Sequence, residues 1–366
     1  MKIFLISNMY PSIDNPSYGV FVKNFEDRMN SDQNVQISHK VVIDRQGKNK
    51  VEKIWKYLKF YFSIIKVFIF GEFDIVYVHF PIYVTPVLIG LPSRGKKLVL
   101  NFHGSDVMGS GRKVNFLKYL TSILVQKSTL IVAPSSFLAD ELKVQLLVSE
   151  DKLFISPSGG VDKRCFYPID REQARRKIGI ENKFTVGFIS RFDQGKGWDV
   201  FLDAVAILKN DYNISVQAVV VGDGTQKNDF FDKIDQLSIE ENIKYFGRKK
   251  QNELAYYFNS LDVFVASSTL MESLGLIGLE AMSCSIPVVG SNKAGIATYI
   301  SEGYNGYLFT PGDPVQLAEM LRKYFLLNED ERSRFSTQAK LTSKKYVSER
   351  VHQELIDKLE SLDKVK

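Results

Sequence analysis

With 366 residues the chain exceeds what one hydrophobic core organises, and two globular domains of ordinary size are expected. Hydrophobic residues at 45% and charged residues at 25% exclude a disordered chain, and the two distant cysteines, Cys165 and Cys284, imply neither a disulfide framework nor a zinc site and point to a reducing compartment. Net charge is +6, but residues 1–165 hold 22 Lys and Arg against 14 Asp and Glu while the remainder holds 26 against 28, so the first half carries a positive field suited to anionic lipid, a pyrophosphate-bearing acceptor or nucleic acid.

The opening MKIFLISNMYPS has one lysine and a short apolar run before polar turn residues, which is too short and wrongly flanked for a signal peptide; a cytoplasmic chain is expected. Its KIFLIS run (2–7) predicts the first strand. Residues 48–70, KNKVEKIWKYLKFYFSIIKVFIF, follow as a helix rich in lysine and aromatics. Helical spacing sets Ile54, Leu58, Tyr61, Phe62, Ile65 and Phe68 on an inward stripe, and Lys53, Lys56, Lys59, Ser63 and Lys66 on the other side with Phe60 and Val67 among them. Lys48 opens the segment. Lysines interleaved with apolar rings suit an anionic membrane interface as well as an amphipathic helix packed on a sheet. Lysines interrupt residues 55–70, the best candidate for a span, so no crossing of a bilayer is expected.

Further strands are predicted at DIVYVHF (74–80), KLVLNF (97–102) and TLIVAP (129–134), with the basic segment RKVNFLKYLTSILVQK (112–127) extending the cationic face. Near-continuous apolar strands are buried on both faces, as in a parallel sheet covered by helices. SPSGGVDKRCFYPID (156–170) clusters Pro, Gly, Ser and Asp and predicts an interdomain linker. The rhythm restarts at TVGFIS (185–190), VQAVVVG (216–222), NIKYFG (242–247), DVFVAS (262–267) and IPVVGS (286–291), predicting a second doubly wound sheet.

Chemistry concentrates in that second half. In SRFDQGKG, Arg191 ends a strand and Lys196 sits in a glycine-flanked turn, two cations at the C-terminal edge of a parallel sheet where ligands bind. In ESLGLIGLE, Ser273, Leu274 and Gly275 are placed to offer backbone N–H groups to a phosphate at a helix start. Glu272 and Glu280, eight positions apart, return to nearly one side if a single helix carries both. VGDGT (221–225) lacks the complete dinucleotide fingerprint and predicts a strand-to-loop turn, and His79 and His352, without ligand-spaced partners, are read as structural.

Glu272 to Glu280 with the EAM-x4-PVVGS continuation, Arg191 and Lys196, VGDGT, and HGSD at 103–106 together resemble glycosyltransferase family 4 from the first strand to about residue 310. The resemblance implies an α/β fold of the GT-B kind: two Rossmann-like doubly wound parallel-sheet domains facing a cleft, residues 1–160 binding acceptor, 161–345 binding nucleotide sugar, and a helix at 346–366 returning to the first domain. It implies that Arg191 and Lys196 bind the donor diphosphate and stabilise the departing nucleotide. Glu280 would bond the ribose hydroxyls and Glu272 the donor sugar, with the amides of Ser273, Leu274 and Gly275 completing the site. Gly19 would let backbone approach the reacting centre, and His103 would lie by the donor sugar.

The implied reaction is retaining transfer from a nucleotide-diphosphate sugar, a UDP-sugar first among candidates, to a saccharide acceptor that is lipid-linked, in bacterial-type cell-surface polysaccharide or glycoconjugate synthesis. No metal cofactor is expected, since no Asp-x-Asp occurs, and no nucleic acid partner. The implied location is cytoplasmic, peripheral on the inner face of the cell membrane. Leu274, Ser285 and the stretch Ala294, Gly295, Ile296, Ala297, Thr298 depart from the family's usual Phe, Gly and Gly-Gly-x-x-Glu, which bears on sugar and nucleotide specificity. A sugar-nucleotide epimerase or sugar phosphorylase of the same fold, and a catalytically silent sugar-nucleotide-binding partner, are the alternatives.

Overall fold

The structure is a computed structural model, and it describes all residues except 16–17, 46–48, 93–94 and 365–366. Lys48 therefore lies outside the described residues. The chain divides into two compact units, Met1–Gly159 with Val351–Lys366, and Gly160–Arg350.

The first unit holds six parallel strands, β1 (Lys2–Ser7), β2 (Gln36–Val42), β3 (Ile75–His79), β4 (Lys97–Asn101), β5 (Leu130–Ala133) and β6 (Leu153–Ile155). Their order across the sheet is β2-β1-β3-β4-β5-β6. Alternation along each strand divides the core between the two faces. Phe4 and Ile6 join Val76, Val78, Leu100 and Ile131 on one side. Ile3 and Leu5 join Ile75, Tyr77 and Val99 on the other, where Leu355, Ile356 and Leu359 of the last helix, Ser348–Lys364, close the cluster. Each such side chain contributes about 1.5–3 kcal/mol when fully buried.

The second unit repeats the plan with β7 (Phe184–Ile189), β8 (Val216–Val221), β9 (Ile243–Tyr245), β10 (Val263–Ala266), β11 (Val288–Ser291) and β12 (Gly306–Phe309). The order is β12-β11-β10-β7-β8-β9. From β7 the chain lays β8 and β9 to one side, then returns to lay β10, β11 and β12 on the other. The reversal between β7 and β10 makes their C-terminal ends the place where two loops diverge and leave room for a ligand.

Two expectations are corrected. Residues 156–170 are not a linker throughout: Val161 bonds the Tyr346 carbonyl at 2.7 Å, and Phe166 is buried in the second unit's core. The helix Lys50–Phe70 is rotated from its expected setting. It buries Phe60, Ile64 and Phe68, with Tyr57, Tyr61 and Val67 packed beside them, while Ile54, Leu58 and Phe62 face outward. Tyr61 and Phe68 of the expected stripe do meet the core, and Phe60 and Ile64 join Phe68 in the cluster that holds Phe4 and Phe73 in place of Ile54, Leu58 and Phe62.

Among the described residues, no helix is long and apolar enough to cross a membrane.

Candidate functional site

After β7 the chain turns through Gly195 (φ 81°), Lys196 and Gly197 (φ 79°) into the helix Trp198–Asn210. A left-handed backbone suits glycine, and at Gly197 there is also no room: a Cβ would lie 1.9 Å from the Ser267 carbonyl oxygen at the end of β10. The helix start is thus pressed onto the neighbouring strand. Ser267 Oγ donates to the Gly197 carbonyl at 2.8 Å, and the Thr269 amide to the Gly195 carbonyl at 2.8 Å.

Through this stitching the two loops present opposite charges. Lys196 Nζ lies 2.7 Å from Glu272 Oε1, and Ser268 Oγ lies 2.9 Å from the same oxygen. Both ionic side chains are largely covered, at 16% and 25% exposure, so their attraction is screened less than a surface pair's. Lys293 Nζ, in the turn after β11, donates to the Thr269 carbonyl at 2.8 Å. The C-terminal edge of the sheet therefore collects cations from the loops after β7 and β11, on either side of the loop after β10 that carries Glu272.

Arg191 stands apart from the Lys196–Glu272 pair. Its guanidinium is 72% exposed and meets Asp193 at 2.7 Å. The Asp193 carboxyl accepts from the Thr225 amide and hydroxyl, and these bonds, with the nearby charges of Arg191 and Lys196, hold it below the usual carboxylate range. VGDGT thus supplies an anchor for the Arg191 loop.

Glu272 and Glu280 do not share a helix. Gly275 is left-handed (φ 78°), and the helix Leu276–Ser283 begins only after it, leaving Glu272 in the preceding loop. Helical spacing, expected to bring the two carboxylates to one side, therefore does not apply to this pair. The Gly295 amide holds the Glu272 carbonyl at 2.8 Å and Tyr299 Oη donates to the Gly275 carbonyl at 3.0 Å, fixing the loop from behind. The Leu274 side chain is buried, and among the described residues the amides of Leu274 and Gly275 make no hydrogen bond within the chain. Those amides, at the positive end of an eight-residue helix, are suited to an anion. Within that helix, burial pushes the Glu280 carboxyl up to about 7, opposed by a 3.2 Å hydrogen bond from Gln251 Nε2.

In the first unit, Gly19 (φ 72°) starts the helix Val20–Met29 and touches the loop after β1: a Cβ there would lie 2.6 Å from the Met9 carbonyl carbon. His103 follows β4, stacked on Phe80 at a ring separation of 4.7 Å and with Phe21 tilted against it at 4.6 Å. Its Nε2 lies 2.9 Å from Nδ1 of His79, at the end of β3. Burial drives the His103 imidazole down to about 3 and that of His79 well below the ordinary range, so both rings are neutral near neutral pH. Asp106 accepts from the amides of His103 and Gly104, which shapes the turn holding His103.

Sequence reasoning missed Ser268, Lys293, Gln251 and the partnership of His79 with His103. A signal was present for three of them: Ser268, Lys293 and His79 each end or directly follow an apolar strand, where parallel-sheet ligand sites form. Gln251 lies in a 3₁₀ turn after β9, and nothing in its local sequence marks it.

Residues 170–342 match the family described as Glycosyl transferases group 1, and residues 22–162 match Glycosyltransferase Family 4. N-acetyl-alpha-D-glucosaminyl L-malate synthase of Bacillus anthracis is 29% identical over 75% of this chain and 73% of its own length. A D-inositol 3-phosphate glycosyltransferase of Paenarthrobacter aurescens is 31% identical over 55% of this chain, and the chain spans about half of that relative's length (50%). Anabaena HepE, solved in complex with UDP, superposes with a TM-score of 0.78 at 19% identity, covering 99% of this chain and 100% of HepE, and so shares the fold. Two six-stranded parallel sheets, a charged pair at the switch point of the second, and matches to both family descriptions along most of the length place this chain among the glycosyltransferases of family 4, with the GT-B fold.

Proposed function

We propose that the protein transfers a sugar, with retention at the anomeric carbon, from a nucleotide-diphosphate sugar to a lipid-linked saccharide in cell-surface polysaccharide or glycoconjugate synthesis. A uridine donor is favoured by the UDP bound in HepE. The work takes place at the cytoplasmic side of the membrane, where such an acceptor is presented. The observation that carries the reading is the Lys196–Glu272 pair, held at 2.7 Å where β7 and β10 diverge.

Negative charge grows on the diphosphate as the anomeric bond breaks. Cations and amides already in position stabilise that charge without reorganising, which lowers the barrier more than it tightens substrate binding. Lys196 and Arg191 are assigned to the diphosphate, with the amides of Ser273, Leu274 and Gly275. Glu272, when Lys196 turns to phosphate, is released to bond hydroxyls of the donor sugar. Glu280, its carboxyl pushed up by burial, is assigned to a ribose hydroxyl, from which the carboxylate accepts and to which the protonated acid donates. Gly19 and His103 are the first unit's contributions, His103 as a neutral imidazole. With charge relief supplied by side chains and amides, no metal is assigned a part.

Thermal shift with a panel of nucleotide sugars, followed by turnover, tests the assignment. Lys196→Ala is expected to lower kcat by roughly 10²–10³ while the fold stays intact. Glu280→Ala is expected to weaken nucleotide binding by about tenfold, the loss of one good hydrogen bond to a polar ligand group. Two folded variants with unchanged turnover would show that the site lies elsewhere, and an inverted anomer in the product would remove retention.

A further inference from the structure

The helix Lys50–Phe70 has a second apolar face that the core does not use. A surface helix ordinarily turns polar residues outward. Here Val51, Ile54, Trp55, Leu58, Phe62 and Ile69 recur at intervals of three, four and seven along one side, with exposures from 44% to 70%. Among the described residues 23 large apolar side chains are exposed, and seven of them belong to this helix, counting Phe70 at its end. Shorter helices do not show the pattern at this extent: Trp198–Asn210 exposes no large apolar side chain, Glu329–Ser343 only Leu341, and Arg112–Lys127 only Phe116 and Tyr119.

Charge decides the occupant. Lys59 and Lys66 flank the stripe along its side, and Lys50 and Lys53 stand at its start; none of the four has an ion-pair partner among the described residues. The helix's one acid, Glu52, lies 3.4 Å from Lys56 and is thereby matched. A second copy docking through the same stripe would set lysine against lysine in a two-fold contact, which opposes self-association. An apolar stripe edged by unpaired lysines, with a tryptophan near its amino end, instead complements a bilayer interface: rings enter the acyl boundary and ammonium groups remain among anionic headgroups.

We infer that this helix is a membrane-docking element, lying in the plane of an anionic bilayer with Trp55, Leu58 and Phe62 inserted. The inference deepens the membrane part of the proposed function, replacing a general basic surface by one helix face and adding insertion to charge attraction. It stands independently of the donor assignment.

Trp55 and Trp198 are the only tryptophans, and Trp198 is buried, so emission changes report chiefly on Trp55. The full chain is mixed with phosphatidylcholine vesicles, with and without phosphatidylserine, and followed by cosedimentation and tryptophan emission. Blue-shifted emission and cosedimentation with the phosphatidylserine vesicles are expected. Double substitution Leu58→Glu with Phe62→Glu should weaken binding by at least about tenfold while leaving the melting temperature unchanged, since both side chains are solvent-facing. Lys59→Glu with Lys66→Glu should abolish the dependence on phosphatidylserine. Absence of wild-type binding, or equal binding by the apolar double variant, overturns the inference. So does a lipid-free dimer that the apolar variant dissolves, since the stripe would then belong to a second copy. The melting shift with UDP, measured on the same preparations, keeps the outcomes separate: its survival alongside failed docking removes the helix face alone, and its loss alongside intact docking removes the donor site alone.

Discussion

His103 is constrained by the ring behind it. A hydrogen bond between His79 Nδ1 and His103 Nε2 requires one ring to donate. If His103 donated, His79 would carry its proton on Nε2, which is buried without a hydrogen-bond partner among the described residues. An orphaned buried N–H is among the rarest of backbone or side-chain polar defects, so the favoured arrangement has His79 Nδ1–H donating and His103 protonated on Nδ1. Nitrogen-15 spectra of the ring nitrogens should show that tautomer, and should show neither ring charging between about pH 8 and about pH 5. An Nε2–H tautomer at His103 would reverse the assignment. The sign of the stability effect follows. Unfolded histidines take up protons below about 6.5 and the buried rings do not, so acid favours the unfolded chain as pH falls through that range. His79→Gln removes one such group, and denaturation midpoints should then fall less between about pH 7 and about pH 5.

Strands inside a sheet were the most legible elements. KIFLIS, DIVYVHF, KLVLNF, TLIVAP, TVGFIS, VQAVVVG, DVFVAS and IPVVGS all proved to be strands with neighbours on both sides, and their continuous apolar runs reflect cover on both faces. The three strands not read, β2, β6 and β12, are edges of their sheets. β2 reads QISHKVV, mostly half-exposed, and β6 is three residues long, so neither presents a run that stands out from loop. For the same reason spacing misjudged the helix Lys50–Phe70: with two apolar faces, periodicity alone cannot say which one meets the sheet. The charged residues of the second unit were legible as motifs, but the Glu272–Glu280 spacing misled because Gly275 starts the helix late. Glycine also supplies a test at this scale. Gly197→Ala meets both a left-handed backbone and the Ser267 carbonyl, whereas Gly179→Ala meets the same backbone demand (φ 73°) with nothing within 4 Å. Gly179→Ala should cost about 1 kcal/mol and Gly197→Ala at least about 2 kcal/mol more, with nucleotide affinity lost only in the second because Lys196 moves with its turn. Equal costs in urea denaturation would mean that β10 yields to the helix start.

Across the whole molecule, duplication of one plan hides a difference in how the two cores are completed. Each sheet is covered on both faces, and every buried cluster draws on one unit alone. The second unit completes its cover from within residues 160–350, whereas the first borrows Leu355, Ile356 and Leu359 from the far end of the chain. Stability of the first unit therefore depends on residues more than three hundred positions from β1, and loss of that contact should loosen one sheet only. Leu359 is fully buried against the face made by Ile3, Leu5 and Tyr77, and Leu359→Ala should cost about 2–5 kcal/mol. Hydrogen exchange localises the effect: amides of Lys2–Ser7 and Ile75–His79 should exchange faster, while those of Phe184–Ile189 and Val263–Ala266 keep their protection. Because Lys196 and Glu272 hang from β7 and β10, the variant should still bind a nucleoside diphosphate while transfer to acceptor declines. Loosening of β7 and β10 to the same degree would instead show that the two cores unfold as one.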